Sequence, residues 1–596
     1  MQYSALLAWT LLLIFLTRKL FNYFLDTKQW HQFGAIAPIP SAKIYTPRDS
    51  MSTWLFSPLL FPIFRALPFN LGQWFRFVVR DNSWKWKEEA WPKEMLGDVW
   101  WAVGPGGGQL WISDAGVNVQ VVTRRNDFVK KVADYAALNI YGLNVVGSEG
   151  VIWQRHRKIT GPPFNEKNSS LVFEQTLRQS KGMLASFTQD ADGKKSKPGQ
   201  EPVVEDLVRW TMIATLNVIS GSALNIKALW PTHSVADISA QEEVEYSRET
   251  KSESHGLPFQ RSFDSVMNNV RTLVVFPPII LRNSPLKFMR SMQQASEDFK
   301  TYMHELIHEH KSKLESGFDS NESGTGDLLG SIVRGSTGSK GETLSEEEMI
   351  GNIFVFVLAG HETSGTALQS AIILLACFPE VQRMVQEEID GIWREKKEGE
   401  ELVYEDYGKM RVIMAVMLET LRLYPPVVML PKFTVEHTTL TYNDITIEIP
   451  ADSRVSLDVV STQRNPKYWS PNPHQFTPSR WLMPPSYIAP PETNNESPAH
   501  ANLLCPPKGA FIAFASGFRG CLGRKFAQVE FCTLIAVLLK ECTVELVQEG
   551  NEEWEEAKKR AMKMMDNRTT ALAMRLNCKI KVRFVKRGAE SFPKLS

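Results

Sequence analysis

Charge of one sign is what this 596-residue chain lacks most plainly: 67 Lys and Arg stand against 66 Asp and Glu, a formal net charge of +1. A near-zero balance excludes the dense basic footprint of a nucleic-acid binder and argues against a polyanionic substrate. Cysteine is scarce too. Its six copies (Cys377, Cys505, Cys521, Cys532, Cys542 and Cys578) include no Cys-x-x-Cys pair and no regular spacing. That excludes a Cys-x-x-Cys-His attachment site and a zinc ribbon, and it points to a reducing compartment. There the Asn-x-Ser/Thr sequons at Asn168, Asn321, Asn495 and Asn567 read as chance matches. No internal repeat is visible. Hydrophobic content of 43% and charged content of 22% are ordinary globular values, enough for a sizeable core.

The amino terminus departs from that average. The run "MQYSALLAWTLLLIFLT" carries no charge until Arg18 and Lys19. As helix it spans roughly 25 Å, slightly short of a bilayer core of about 30 Å. Basic residues before the run and small residues after it, the marks of a cleaved signal peptide, are both missing. Arg18 and Lys19 follow the run instead, which keeps the bulk of the chain on the cytosolic side. Residues 1–26 are therefore expected to form a retained single-pass membrane anchor, with a buried N-terminal helix as the alternative. Residues 27–97 are rich in Pro and Trp, among them Trp30, Trp54, Trp74, Trp84, Trp86 and Trp91. That composition suits a membrane-proximal segment or a Trp-rich core edge equally well.

Residues 98–596 read as one large, mainly helical unit with a small β part. Helical periodicity dominates 170–220, 290–316, 345–377 and 522–540. The alternating stretches "TLTYNDITIEI" (439–449) and "NCKIKVRFV" (577–585) predict minor strands. The polar stretches 190–201 and 317–343 predict surface loops, and 484–509 a Pro-rich insertion.

One short stretch concentrates the chemistry. "FASGFRGCLG", Phe514 to Gly523, sets Cys521 among Gly517, Gly520 and Gly523, just ahead of a predicted helix. A thiol is a strong ligand or nucleophile only as thiolate, and a helix N-terminus lowers its pKa. The glycines let the backbone fold around the sulfur and aim N–H groups at it. Taken alone, a cysteine in a glycine loop is usually structural. Here the whole string resembles the haem-binding loop of the cytochrome P-450 superfamily, F-x-x-G-x-R-x-C-x-G, at Phe514, Gly517, Arg519, Cys521 and Gly523.

Four further motifs stand in that family's order. "GVIWQRHRK" sets Trp153 and Arg157 four apart, and resembles the propionate-binding helix. "LSEEEMIGNIFVFVLAGHETS" opens with a capping box at Ser345 and Glu348. Its Gly360, Glu362 and Thr363 resemble the oxygen-activation segment. "MLETLRLYPP" with Glu419 and Arg422, and "FTPSRW" with Arg480, resemble the buried Glu–Arg–Arg triad. One departure is Lys432, in "VVMLPKF", where relatives often carry arginine; lysine cannot hold a propionate bidentately. The anchor suits the eukaryotic microsomal type, and "ALNIYGLNVVGSEG" before Trp153 looks like fungal members.

The resemblance implies the cytochrome P-450 fold, a helical bundle around haem b, and a monooxygenase that inserts one atom of O2 into a substrate. It implies Cys521 as axial ligand of the haem iron and Arg519 on a propionate. It implies Gly360 as room for a ligand, Thr363 beside the bound oxygen, and Glu362 as a general acid relaying protons. A mid-helix Thr363 bonding its own backbone is the alternative. No flavin or nicotinamide module is present, so electrons from NADPH must come through a separate NADPH-cytochrome reductase, with cytochrome b5 a further candidate partner. Arg155, His156 and Lys158 are candidates for the face that docks it, and the endoplasmic reticulum membrane is the expected location. Apolar stretches near 127–148, Phe356–Ala359 and Pro426–Leu430 favour a lipophilic substrate, such as a terpenoid, steroid or other secondary metabolite. "TLVVFPPIIL" (Thr272–Leu281) reads as a membrane-dipping or core stretch. A haem-thiolate isomerase or dehydratase and a non-catalytic haem-binding protein are the rival readings; the intact Glu362–Thr363 pair speaks against the first, and the second would be favoured by a broken motif, of which there is none.

Overall fold

The computed structural model describes residues 2–44, 84, 96–188, 201–226, 230, 256–316, 328–336, 343–484, 486, 502–570 and 572–591. Helix α1 (Gln2–Ile36) outruns the apolar stretch that begins it, because no proline intervenes before Pro38. Leu13, Ile14, Leu20, Phe21, Phe24 and Leu25 are exposed along it. Its last turns dock on a sheet: Phe33 meets Trp101 edge-to-face at 5.3 Å, and Ser41 Oγ donates to Gly34 O at 2.7 Å. Strand β1 (Ser41–Lys43) then pairs in parallel with β2 (Val99–Gly104). Trp84 is buried and its Nε1 donates to Asp566 O at 3.1 Å. Trp54, Trp74, Trp86 and Trp91 lie outside the described residues, as does most of the Pro-rich 484–509.

Six strands make the larger sheet, in the order β1-β2-β3-β9-β6-β4. Here β3 is Gly107–Ile112, β4 Phe128–Val129, β6 Met429–Thr434 and β9 Arg454–Asp458. A smaller sheet joins β5 (Val203–Val204), β10 (Cys542–Leu546) and β13 (Val582–Lys586). The expected 439–449 pattern folds as the hairpin β7 (Thr438–Tyr442) and β8 (Ile445–Ile449). Asn443 and Asp444 both take positive φ, 47° and 62°, the turn whose twist suits flanking strands. A last hairpin pairs β11 (Arg568–Thr570) with β12 (Met574–Leu576).

The helical part follows from α2 (Ala115–Thr123), α3 (Gly150–Thr160), α4 (Glu166–Thr188) and α5 (Leu207–Leu224) through α6 (Phe259–Val275) and α7 (Lys287–Glu315). Helix α8 (Leu328–Gly335) falls where a loop was expected. Its Leu328, Leu329, Ile332 and Val333 repeat at helical spacing and are buried, a four-residue signal hidden inside a long polar stretch. Then come α9 (Glu346–Cys377), α10 (Pro379–Arg394), α11 (Arg411–Leu423), α12 (Arg524–Glu541) and α13 (Trp554–Met565).

Helix α9 organises the interior. The expected capping box starts it: Glu348 N donates to Ser345 Oγ at 3.2 Å, and Ser345 N to Glu348 Oε2 at 2.9 Å. At 32 residues it runs about 48 Å. Its first half, Met349 to Leu358, belongs to one apolar cluster with α6 and α7. Its second half, Ala367 to Cys377, belongs to another with α11 and α12. The apolar core is interrupted between Ala359 and Thr366.

Candidate functional site

The interruption is where the interior becomes reachable. Every residue from Met349 to Leu358 is buried, yet Ala359 is exposed and Gly360 and Thr363 are half-buried. These three sit on adjacent faces of the helix, so one side of α9 fronts a hollow inside the protein. Thr363 Oγ1 donates to Ala359 O at 2.7 Å, the backbone bond the helix offers it. Gly360 is small for a packing reason: a Cβ there would meet Ile219 Cδ1 of α5 at 3.2 Å. Across the same contact Thr215 Oγ1 donates to His361 O at 3.0 Å.

The cysteine loop reaches the same region. Gly517, at φ +65°, takes a conformation costly for other residues, and a Cβ there would lie 2.6 Å from Val122 O. Gly520 N donates to Gly517 O at 3.0 Å and Cys521 N to Phe514 O at 2.9 Å, closing the loop three residues ahead of α12. The Cys521 thiol is exposed, yet burial is the largest influence on it and pushes its pKa up. A Gly523 N–H bond and the Arg524 and Arg157 guanidinium groups pull the other way. The Cys521 side chain is therefore accessible while protein lies close around it. Phe164 ties the two walls together: its ring lies 5.5 Å from Phe356 of α9 and 5.0 Å from Phe526 of α12.

Beside the loop lies a cleft lined by Phe128, Glu149, Trp153, Lys432, Phe518 and Arg519, with others. Arg519 lies over the Trp153 ring, 4.0 Å from its centroid. Its Nη2 donates to Glu149 Oε1 at 2.5 Å and to Ser148 O at 3.0 Å, and Nη1 to Val145 O at 3.3 Å. Glu149, the N-cap of α3, is drawn below the ordinary range mainly by N–H donors from Lys130 and Gly150 and by Arg519, against the opposing effect of burial. Lys432 has no hydrogen-bond or ion-pair partner among the described residues. Burial and the Arg519 charge hold its ammonium down to about 8. Lys130 is held down to about 7 by burial, Arg519 and Lys432. Arg157, one turn beyond Trp153, is half-buried and acts electrostatically on the Cys521 sulfur. Three cations thus surround one carboxylate, and one of them is unpaired.

Glu362 is buried and points elsewhere. Its Oε1 accepts from Arg575 Nε at 2.9 Å and from Ala573 N at 3.4 Å, both in the β11–β12 hairpin. His361 is buried, and burial and the Arg575 charge push it down to about 3. Of the three residues expected on a docking face, two turn inward. His156 is fully buried, hydrogen-bonded to Asn352 at 2.9 Å, and Arg155 pairs with Glu348. Lys158 is exposed.

The triad assembles completely. Glu419 accepts from Arg422 Nε (2.7 Å) and Nη2 (2.8 Å), Arg480 Nε (3.0 Å), Thr477 N (2.9 Å) and Trp481 Nε1 (2.9 Å). Arg422 spends its remaining N–H groups on the carbonyls of Gln463, Pro473 and Gln475, and Arg480 on those of Trp469, Pro471 and Asn472.

A long helix opened at its middle, an accessible cysteine loop whose following helix is tied to it through Phe164, and a cationic cleft beside that loop suit a haem-thiolate protein. Residues 93–572 match the cytochrome P-450 family model, and the chain belongs to that family. It is 30% identical to a cytochrome P-450 monooxygenase from Penicillium roqueforti over 81% of this chain and 82% of the relative. It is 26% identical to the phomenoic acid biosynthesis cluster cytochrome P-450 monooxygenase of Leptosphaeria maculans, over 90% and 91%. Among solved structures, a cytochrome P-450 haem domain superposes with a TM-score of 0.62 at 17% identity, covering 86% of this chain and 95% of that one. A retinoic acid-bound cyanobacterial member reaches 0.58 at 18% identity, covering 83% and 93%. The protein is a monooxygenase of fungal type.

The residues present fit haem. The hollow holds an accessible sulfur, and the cleft holds more positive than negative charge with an unpaired ammonium, the chemistry a carboxylate-bearing disc requires. Lys130, Glu149 and Arg575 were missed by sequence reasoning. Glu149 had a signal, an acidic N-cap before a motif helix; the other two had none.

Proposed function

We propose that Cys521 is the axial thiolate of haem b and that the chain oxidises a lipophilic substrate held against Ala359 of α9. The accessible Cys521 sulfur in an otherwise enclosed interior carries this reading. Lys432, Arg519 and Lys130 would hold the haem propionates, with Trp153 as a platform under Arg519 and Arg157 neutralising charge near the sulfur. Gly517 and Gly523 keep the loop close around the sulfur, and Phe514 closes it through its carbonyl. Bound haem supplies oxygen activation; the protein supplies the ligand, the pocket and the protons. Thr363 offers its hydroxyl at the opening once it releases Ala359 O, and Glu362 would relay protons to it after swinging away from Arg575. Gly360 lets α5 approach, which sets where α9 opens. Glu419, Arg422 and Arg480 hold the scaffold without contacting the reaction.

The electrons come from NADPH through a separate reductase, with cytochrome b5 as a second donor; Lys158 is an exposed cation on α3 that suits such docking. Helix α1 anchors the chain in the endoplasmic reticulum membrane with residues 98–596 as the cytosolic catalytic domain. Exposed Phe276, Ile279, Ile280, Leu286 and Phe288 form an apolar patch between α6 and α7 that suits the same membrane. The relatives' products make a secondary metabolite the fitting substrate class.

Cys521→Ala is expected to abolish the haem-thiolate absorption of the CO complex; an unchanged spectrum removes Cys521 as ligand. Thr363→Ala is expected to keep that spectrum while diverting most NADPH to hydrogen peroxide, roughly tenfold less product per NADPH. Normal coupling would remove Thr363 from the proton path.

A further inference from the structure

Two charged side chains near the hollow have bonding capacity left over. Arg575 spends Nε on Glu362, and its two terminal amino groups have no hydrogen-bond partner among the described residues. Its side chain is 37% exposed. Asp264, on α6, likewise has no hydrogen-bond or ion-pair partner among the described residues. It is exposed, yet burial raises its carboxyl to about 6, with the Arg575 charge opposing. Its neighbour Phe263 stands edge-on to His361 of α9 at 5.6 Å, and His361 also feels Arg575. Asp264 follows a residue packed on His361 and Arg575 bonds Glu362, so both lie beside the same turn of α9, where the Arg575 charge reaches Asp264. Phe263 and Met267 of α6, Phe356 of α9 and Leu572 belong to one apolar cluster.

We propose that Asp264 and Arg575 form a two-point anchor for a hydroxyl group on the substrate, an alcohol or phenol on an otherwise lipophilic skeleton. The hydroxyl oxygen accepts from an Arg575 terminal N–H, and its proton goes to the Asp264 carboxylate as a hydrogen bond. Among simple polar groups a hydroxyl fits both partners at once. A protonated amine can pair with Asp264 but not Arg575, and a carboxylate with Arg575 but not Asp264, so neither satisfies both. The anchor is selective because an analogue without the hydroxyl leaves the Asp264 carboxylate and the Arg575 terminal N–H groups without a partner on the substrate. This inference rests on the reading that the hollow takes haem and substrate.

The test is optical titration of the full-length haem protein with matched pairs: dodecan-1-ol against dodecane, 4-phenylphenol against biphenyl, and a 3-hydroxysteroid against its 3-deoxy counterpart. In the wild type, the hydroxylated member of at least one pair is expected to bind about ten- to a hundredfold more tightly. In Asp264→Ala that preference should shrink to within about threefold while the deoxy member keeps its Kd; Asp264→Asn, an acceptor of the same shape, should fall between. Absence of any hydroxyl preference, or a preference unchanged in Asp264→Ala, overturns the anchor. The thiolate spectrum recorded on each sample separates the two readings. If the wild type lacks that spectrum, the haem reading fails and the anchor with it; if the spectrum is intact without a hydroxyl preference, the anchor alone fails.

Discussion

Two clusters of interior charge in this protein have opposite states of completion. Around Glu419, one carboxylate takes five donors, and both arginines spend their other N–H groups on backbone carbonyls. Around Glu149, three cations share one carboxylate, and the Lys432 ammonium has no partner among the described residues. A saturated cluster has nothing left for a ligand, so its role is to fix the loops it ties together. A cluster with surplus charge is costly until an anion arrives. The same residue types thus mark scaffold in one place and site in the other, and the difference lies in the unspent bonds.

The largest test breaks the saturated cluster. Glu419→Ala leaves two arginines uncompensated in the interior and is expected to cost about 3–5 kcal/mol of stability in urea unfolding. A cost below about 1 kcal/mol would mean that the carbonyls alone carry the arginines. In the surplus cluster stability should move little and ligand retention much. Arg519→Ala is expected to weaken haem retention about tenfold or more, measured by transfer of haem to an apo-globin, since one charge-assisted pair is lost. The smallest and most specific change is Lys432→Met. The lysine sits near 8 without an anion, below its ordinary 10.5, and an anion raises it, so binding takes up a proton. Haem affinity should therefore fall as the pH rises through about 8, and Lys432→Met should be weaker by a few-fold with a flatter profile. An equally steep profile in that variant would assign the titration to Lys130 instead.

Much of this was legible before any fold was known, and for reasons tied to particular residues. Ser345 and Glu348 announce the start of α9 because a capping box is local, satisfied within one turn. The 439–449 stretch reads as strand because it alternates, while the turn at Asn443 and Asp444 that splits it into a hairpin shows only in the structure. The cysteine loop is readable because its glycines answer to backbone demands that no other residue meets cheaply. By contrast, α8 was hidden by polar neighbours that say nothing about a four-residue apolar patch. His156 looked like surface because a basic run gives no sign of which member faces inward.

By itself, the sequence determined the family, the order of the motifs and the start of α9. It did so because each of those depends on short-range geometry or on a fixed spacing. The tertiary structure decided which charges are spent. Arg519 meets Glu149 across 370 residues, and Arg575 meets Glu362 across 213. No spacing rule encodes such pairs; they exist only because packing α3, α9 and the β11–β12 hairpin around one hollow brings their ends together, and only there does a charge become paired, surplus or free to bind.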